Sequence, residues 1–188
     1  AAELKQSLKQ IGRSSIRATH TVNQLLALAR AESSGKALVL QACDLAALTM
    51  EAVQDCLPRA MEKYLDLGYD GAQPGAPGVV VQGNPTLLKE MIRNLLDNAI
   101  IYTPSSADKP GVVTARVLAD PFGGVLVLQV EDSGPGIPES ERELVFQPFY
   151  RTLGTNVDGS GLGLPIVQEI ARQHQAEIAL EDAHPGQA

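Results

Sequence analysis

The apolar positions in the middle of the chain predict an amphipathic helix. They recur at steps of three and four residues, the spacing of one buried helix side: Leu88, Met91, Ile92, Leu95, Leu96 and Ala99. Asn84 followed by Pro85 supplies a capping residue and a proline in the first turn, and Pro104 ends the helix. We therefore expect this helix to pack one side into the core.

A second helical pattern covers residues 3–33. Its apolar positions alternate steps of four and three, as in a coiled-coil seam: Leu4, Leu8, Ile11, Ala18, Val22, Leu25 and Ala29, with Ser15 weakening the middle. The apolar face is too wide for a helix alone in water, so we expect a partner helix. Ser33-Ser34-Gly35 then marks a predicted boundary between a helical domain, 1–34, and a second domain, 35–188.

The second domain has several short strand patterns and two further helical patterns. Strands are predicted at 37–41, 64–69, 79–81, 112–118, 125–131 and 177–180, with the fourth and fifth joined as a hairpin. A helix capped by Asp44 runs to about Ala60, and a last helix covers 161–173. Because strands and helices do not alternate strictly, we expect an α/β fold: a two-layer sandwich of one mixed sheet with helices on a single face.

Composition and charge narrow the classes of partner. The chain has 188 residues and a formal net charge of −7, which argues against a nucleic-acid partner because an acidic surface repels phosphate backbones. Cys43 and Cys56 lack metal-ligand spacing, so the cysteines indicate neither a metal site nor a disulfide framework, and a reducing cytoplasm fits. We find no apolar run of membrane-spanning length and no signal peptide, and the chain starts without Met, as a fragment would.

Asn94, Asn98 and Tyr102 follow one another at four-residue steps, so they line up beside the buried stripe of the central helix. An amide oxygen is a neutral, hard ligand that can coordinate magnesium and leave the positive charge available for phosphates. The alternative is that both asparagines only donate and accept hydrogen bonds with neighbouring loops.

The strand predicted at 125–131 runs directly into Asp132, Gly134, Gly136 and Ile137 of the motif D-x-G-x-G-I. A carboxylate at a strand end, beside glycines that let the backbone approach a flat ligand, can accept a hydrogen bond from an exocyclic amine such as that of adenine. The alternative is a turn with an ordinary Asp cap.

The last helix is preceded by a glycine-rich segment: Gly159, Ser160, Gly161, Leu162 and Gly163. Backbone N–H groups at a helix start, with glycines that allow close approach, can bind phosphate anions. The spacing G-x-G-x-G after a polar loop does not match a Rossmann fingerprint, and the phosphate loop G-x-x-x-x-G-K-[ST] is absent. A tight turn without a ligand remains the alternative.

An aromatic segment lies between these two motifs. Phe146, Phe149 and Tyr150 are expected to anchor a mobile segment on the core, and Arg151 adds a cation near the expected phosphates. Residues 152–158 are polar and are typical of a short lid.

The order of these segments carries the strongest signal: an Asn-rich helix, D-x-G-x-G after a strand, F-x-P-F-Y-R, then G-x-G-L-G-L at a helix start. In order and spacing they resemble the catalytic, ATP-binding domain of bacterial sensor histidine kinases, a relative of the ATP-binding fold of gyrase and of mismatch-repair ATPases. The resemblance covers the chain from about Ala37 onward. The preceding helix resembles the second helix of that family's dimerisation and histidine-phosphotransfer hairpin.

The resemblance implies ATP and Mg²⁺ as cofactors. Asn98 would be the main magnesium ligand with Asn94 assisting, Tyr102 would border the nucleotide, and Asp132 would bind the adenine amine. Gly134, Gly136 and Ile137 would shape the adenine pocket. The phosphates would contact Gly159, Ser160, Gly161, Leu162 and Gly163, and Arg151 would offset their charge.

The resemblance also implies partners and a location. The phosphoryl group would pass from a histidine to the receiver domain of a response regulator, and a homodimer would form through the N-terminal helix hairpin. The domain would be cytoplasmic and, in the full-length protein, anchored to the bacterial inner membrane. This part of it would make no direct membrane contact.

The phosphoacceptor motif of the family is a histidine followed by an acidic residue and, a few positions on, a proline. His20, His174 and His184 do not fit it, so we expect the acceptor helix upstream of Ala1 and no phosphoacceptor in this chain. Ile101 stands where the family often has a basic residue, so that phosphate contact is missing or is replaced, with Arg93 and Arg151 as candidates.

Two rival classes stay open. A conformational ATPase of the gyrase or mismatch-repair type typically has a Glu where Asn94 stands and uses it to activate water, so its absence favours phosphoryl transfer over hydrolysis. A non-catalytic dimerisation module that has lost ATP binding is the second rival, and Ile101 is the feature that indicates it.

Overall fold

The computed structural model describes residues 39–119, 124–151 and 161–183 of the chain. All of them belong to one structural unit, Leu38–Ala188. The helix predicted over 3–33 lies outside the described residues, as do the predicted lid at 152–158 and the predicted site residues Gly159 and Ser160.

The described elements are, in chain order, β1 (Gln41–Asp44), α1 (Leu45–Glu62), β2 (Asp66–Tyr69), β3 (Val80–Gly83), α2 (Pro85–Tyr102), β4 (Val112–Ala119), β5 (Leu126–Asp132) and α3 (Gly163–Gln173). Two single turns of 3₁₀ helix, Glu139–Glu141 and Leu144–Phe146, lie between β5 and α3. Among the described residues, no helix is both long and apolar enough to cross a membrane.

The helix boundaries follow from local chemistry. The Asp44 carboxylate accepts a hydrogen bond from the Ala47 N–H at 2.9 Å, which confirms the predicted cap of α1. The Asn84 amide oxygen accepts from the Leu87 N–H at 3.1 Å and caps α2. At the other end of α2, Thr103 takes an extended conformation (φ −77°, ψ 118°), because the residue before a proline is disfavoured in the helical region.

The strands form a mixed sheet, as the sequence predicts. β4 is central, with β2 parallel on one side and β5 antiparallel on the other. The described strands do not form a single sheet, however, because β1 and β3 pair antiparallel in a separate two-stranded sheet.

One face of the mixed sheet is buried by helices. Alternate residues of β4 point into a core shared with α1 and α2: Val113, Ala115 and Val117 from the strand, Ala52 and Cys56 from α1, Ile92, Leu96 and Ile100 from α2. On the opposite face Arg116 forms ion pairs with Asp70 and Glu131. α3 packs against α2, so α2 is covered on two sides.

Several predicted boundaries shift, and one predicted strand is wrong. The first strand begins at Gln41, where its pairing with β3 starts opposite Gly83, and β2 begins at Asp66, since Tyr64 has a left-handed backbone (φ 57°). The third strand is Val80–Gly83, not 79–81, and the last helix begins at Gly163. Residues 177–180 form no strand: their alternating pattern has no strand partner among the described residues, and Ile178 is half exposed.

Cys56 gives the fold a pH-dependent stability. The side chain is buried, and burial raises the pKa of the thiol from its ordinary value of 9.0 to about 11, with the Asp97 carboxylate acting in the same direction. The folded chain therefore holds a proton that the unfolded chain loses near pH 9. This contribution to stability is complete below pH 9 and is lost as the pH rises through about 11.

We expect the free energy of unfolding to fall by roughly 1–3 kcal/mol more in the wild type than in Cys56→Ala between pH 9 and pH 11. Urea unfolding followed by circular dichroism at several pH values measures the difference. Cys43→Ala, which removes the other buried cysteine, is the control. Its free energy of unfolding should fall with pH as steeply as that of the wild type. If the free energy of unfolding fell equally with pH in the wild type and in Cys56→Ala, the pH dependence would not come from the Cys56 thiol.

Candidate nucleotide-binding site around helix α2

The amide of Asn98 lies directly against the first residue of α3. A Cβ atom placed on Gly163 would lie 2.9 Å from Asn98 Oδ1 and 3.0 Å from Asn98 Nδ2, closer than real Cβ contacts. The approach therefore needs a residue without a side chain at position 163. The structure thus brings together the Asn-rich helix and the glycine motif, which the sequence separates by more than sixty positions.

The start of α3 has the features of an anion site. Leu162, the residue before the helix, is fully buried, and no side chain of the described residues caps the helix there. The N–H groups of a first helical turn have no partner within the helix and carry partial positive charge. Gly163 therefore places the Asn98 amide beside backbone donors of the kind that bind phosphate.

Gly161 connects this helix start to the aromatic segment. Its φ is +69°, and a Cβ there would lie 2.8 Å from Phe149 Cα. The Phe149 N–H donates to the Gly161 carbonyl at 2.8 Å. The prediction that Phe149 is an anchor on the core is wrong: its side chain is 63% exposed, and the buried residue of this segment is Val145.

The other residues of the aromatic segment are partly buried. Phe146 is half-buried, and the Tyr150 hydroxyl donates to the Glu141 carboxylate at 3.0 Å. Arg151 follows directly, and its side chain is exposed. The segment thus brings a cation to the same side of the molecule as Gly161.

The D-x-G turn lies against the C-terminal end of α2. Asp132 Oδ1 accepts hydrogen bonds from the Gly134 N–H at 2.8 Å and from the Thr103 hydroxyl at 3.3 Å. A Cβ on Gly134 would lie 2.6 Å from the same Oδ1 and 3.4 Å from the Tyr102 carbonyl oxygen. The second glycine, Gly136, has φ +71°, a conformation that other residues rarely adopt. The third motif therefore meets α2 as well.

The backbone after the D-x-G turn is held by Arg142. Its Nε donates to the Ile137 carbonyl at 3.2 Å, and Nη1 donates to the Leu180 carbonyl at 3.3 Å. The same guanidinium pairs with Asp182. Ile137, a predicted pocket residue, is thus tied to the segment that follows α3.

Asn94 lies one turn before Asn98 on α2 but in a different environment. It is 3% exposed, and its Nδ2 donates to the Glu90 carbonyl at 2.8 Å and to Glu90 Oε1 at 3.2 Å. Asn98 and Tyr102 are half-buried. These contacts fix the Asn94 amide to the helix, and its role as a second metal ligand stays a prediction.

Three residues of this region were missed by the sequence reasoning. His174 links the ends of two site helices: its Nε2 accepts from the Asn84 N–H at 3.0 Å, and its Nδ1 lies 2.7 Å from the Ile170 carbonyl. Thr103 and Arg142 hold the loop of the D-x-G-x-G-I motif through Asp132 and Ile137. The only sequence signal for Thr103 was its place between the helix and Pro104, and His174 and Arg142 had none.

Comparison with known proteins agrees with this geometry. The chain is 34% identical over 182 residues to the sensor protein QseC of Escherichia coli O157:H7, an alignment that covers 97% of this chain and 38% of that protein. A mycobacterial sensor histidine kinase, MprB, aligns in structure with a TM-score of 0.60 and 29% identity over 73% of this chain and 81% of that chain. Full-length ShkA in complex with AMPPNP aligns with a TM-score of 0.71 and 25% identity, over 92% of this chain and 34% of that one.

The family model gives the assignment. Residues 83–188, more than half of the chain, match the model described as histidine kinase-, DNA gyrase B-, and HSP90-like ATPase. This range contains α2, the D-x-G turn and the glycine motif at α3, the three elements that the structure brings together. The chain therefore belongs to the histidine kinase-, DNA gyrase B- and HSP90-like ATPase family, with sensor histidine kinases among its relatives.

Proposed function

We propose that this chain binds ATP with magnesium and transfers the γ-phosphoryl group to a histidine, as the catalytic domain of a sensor histidine kinase. The observation that carries the proposal is the convergence on α2: Gly163 meets Asn98, and the D-x-G turn meets Thr103. A single helix thereby joins a base-recognition group to a phosphate-binding helix start. The resemblance of the chain to QseC and MprB supports transfer to histidine.

The adenine would bind at the C-terminal end of α2. Asp132 is the acceptor for its exocyclic amine, because Oδ1 is already occupied by two donors while, among the described residues, Oδ2 has no protein hydrogen bond. Gly134 and Gly136 keep the loop free of side chains, and Tyr102 and Ile137 border the ring. A hydrogen bond to a charged acceptor contributes about 1.5–3 kcal/mol, enough to select a base.

The triphosphate would extend from there to the start of α3. The backbone of Gly161, Leu162 and Gly163, with Gly159 and Ser160, would donate to the phosphate oxygens. Arg151 is the exposed cation that would offset part of their charge. AMPPNP in the ShkA complex is a ligand of the same chemical class.

The donor set fits a magnesium ion. Magnesium takes oxygen ligands, usually from a few protein groups together with phosphates and water, and an amide oxygen meets that demand. Asn98 would be the main ligand because its amide lies at the phosphate-binding helix start, and Asn94 would assist. The ion would neutralise phosphate charge, while the protein groups position the γ-phosphoryl group for in-line transfer.

The acceptor histidine would come from another segment or chain. Both ring nitrogens of His174 already face a partner, the Asn84 N–H and the Ile170 carbonyl, so this histidine is held as a structural link. His20 and His184 lie outside the described residues and lack the acidic residue and proline of the acceptor motif. Phosphoryl transfer would therefore need an acceptor histidine other than these three.

The larger assembly is proposed from the relatives. The chain spans 38% of the length of QseC, so the rest of such a sensor would supply the other parts. Residues 1–34 would form the second helix of a dimerisation and phosphotransfer hairpin, and 35–188 the catalytic domain. A response regulator would receive the phosphoryl group, and the full-length protein would be anchored to the inner membrane with this part in the cytoplasm.

Asn98→Ala should lower the affinity for AMPPNP at least about tenfold when Mg²⁺ is present and much less in EDTA, because the metal loses its main protein ligand. Isothermal titration calorimetry measures both conditions. Gln129→Ala, on the exposed side of β5, is the control and should bind as the wild type does. A variant that keeps the full magnesium dependence would contradict the ligand assignment, and a wild type that binds no nucleotide would favour the non-catalytic module.

Gly163→Ala should mainly lower the nucleotide affinity, whereas Gly161→Ala should mainly lower the stability of the fold. At 163 the new methyl meets the movable Asn98 side chain, so nucleotide affinity should fall while the melting temperature changes little. At 161 the methyl meets Phe149 backbone atoms at a positive φ, so the free energy of unfolding should fall by about 1–3 kcal/mol.

Gly124→Ala serves as the matched control for Gly161→Ala. Gly124 has a similar φ of +65° with no atom within 4 Å of a Cβ, so it measures the backbone strain without the clash. Thermal melts and calorimetry on the three variants separate the effects. Loss of stability in Gly163→Ala equal to that in Gly161→Ala would show that Gly163 is needed for folding and not for the Asn98 contact.

A further inference from the structure

Thr103 is a fully buried polar residue at the boundary between α2 and the adenine-side loop. Its N–H donates to the Ala99 carbonyl at 3.0 Å and closes the helix. Its methyl group packs on Gly111, where a Cβ would lie 2.6 Å from Thr103 Cγ2. Because a β-branched side chain has few allowed χ1 values, this packing leaves the hydroxyl one direction, toward Asp132.

The Thr103 hydroxyl and the Gly134 N–H donate to the same oxygen of Asp132. The distances to Oδ1 are 3.3 Å and 2.8 Å. A carboxylate terminus rotates easily about χ2, and its two oxygens are equivalent in isolation. Two donors converge from different segments, the Thr103 hydroxyl from the residue after α2 and the Gly134 N–H from the loop, so they make the oxygens inequivalent and fix the plane of the group. Oδ2 is then presented in one direction as an acceptor.

We propose that Thr103 is a positioning residue that sets the base specificity of the site. It holds Asp132 so that Oδ2 faces the 6-position of a purine and accepts from an exocyclic amine there. A purine with a carbonyl at that position would place an oxygen acceptor against the carboxylate and be rejected. The inference rests on the proposed function, since it assumes that a nucleotide binds beside Asp132.

Two substitutions of Thr103 distinguish the effect of its hydroxyl from that of its methyl group. Thr103→Val keeps the methyl on Gly111 and the branched shape and removes only the hydroxyl, so it leaves no unpaired donor in the core. Thr103→Ser keeps the hydroxyl and removes the methyl. Purine riboside 5′-triphosphate lacks the 6-amino group, so its binding does not depend on Oδ2 of Asp132.

We expect Thr103→Val to bind ATP about tenfold more weakly than the wild type in the presence of Mg²⁺, because a fixed charged hydrogen bond is weakened. Its affinity for purine riboside 5′-triphosphate should stay within about twofold of the wild type, and Thr103→Ser should recover most of the ATP affinity. Calorimetric titrations with both nucleotides give the ratio of affinities. In an Asp132→Asn background, Thr103→Val should leave that ratio unchanged.

Different results would contradict the positioning role of Thr103 and the proposed nucleotide binding. A wild type that binds neither nucleotide would overturn the proposed function. If the wild type binds ATP and Thr103→Val lowers the affinity for both nucleotides by the same factor, the positioning role would be wrong. Thr103 would then only stabilise the fold. Thermal melts establish that the variants are folded, and Thr103→Ala provides the same comparison if the valine variant does not fold.

Discussion

The site depends on one close contact, the approach of the Asn98 amide to the first residue of α3. A methyl group at position 163 would already lie 2.9 Å from Asn98 Oδ1, so the contact exists because glycine stands there. It brings a neutral amide oxygen, carried by one helix, beside the backbone N–H groups at the start of another. In the proposed site, the metal ligand and the phosphate-binding backbone would come from different helices, so their spacing would depend on this contact.

Burial of one side of α2 fixes the position of Asn98 relative to α3. Ile92, Leu96 and Ile100 are almost completely buried on one side of the helix, and each such side chain contributes about 1.5–3 kcal/mol by leaving water. Because this face is fixed against the sheet, the neighbouring polar row has a defined orientation. His174 adds a second constraint, since it joins the start of α2 to the end of α3 through the Asn84 N–H. The two helices that form the site are therefore tied at the end remote from Asp132.

Local sequence signals predicted most of the elements, and the motifs they identified are the ones that meet at α2, because each motif carries its own chemistry. The Asp44 and Asn84 caps, the Pro104 stop and the polar row of α2 depend on residues close in sequence. Thr103, Arg142 and His174 could not be found this way, because each acts on a backbone or carboxylate that is distant in the chain. The strand predicted at 177–180 failed for the same reason. Alternation is local, but a strand also needs a neighbour, which no pattern within the segment supplies.

The distribution of charge along α2 explains how an acidic chain can bind a triphosphate. The net charge of −7 repels such a ligand, so the protein groups next to the phosphates need to be neutral or cationic. In the proposed site, Asn98 would satisfy this demand at the phosphate end, where a carboxylate would add repulsion. The carboxylate of Asp132 instead contacts Thr103, the residue that follows the end of α2. Asn98 lies four residues before the end of α2, so at a rise of about 1.5 Å per residue the acidic group meets the helix end about 6 Å from Asn98 along the helix axis. With the nucleotide bound as proposed, this separation would put the anion where the base donates a hydrogen bond and keep it away from the phosphates, so recognition of the base would not weaken binding of the phosphate groups.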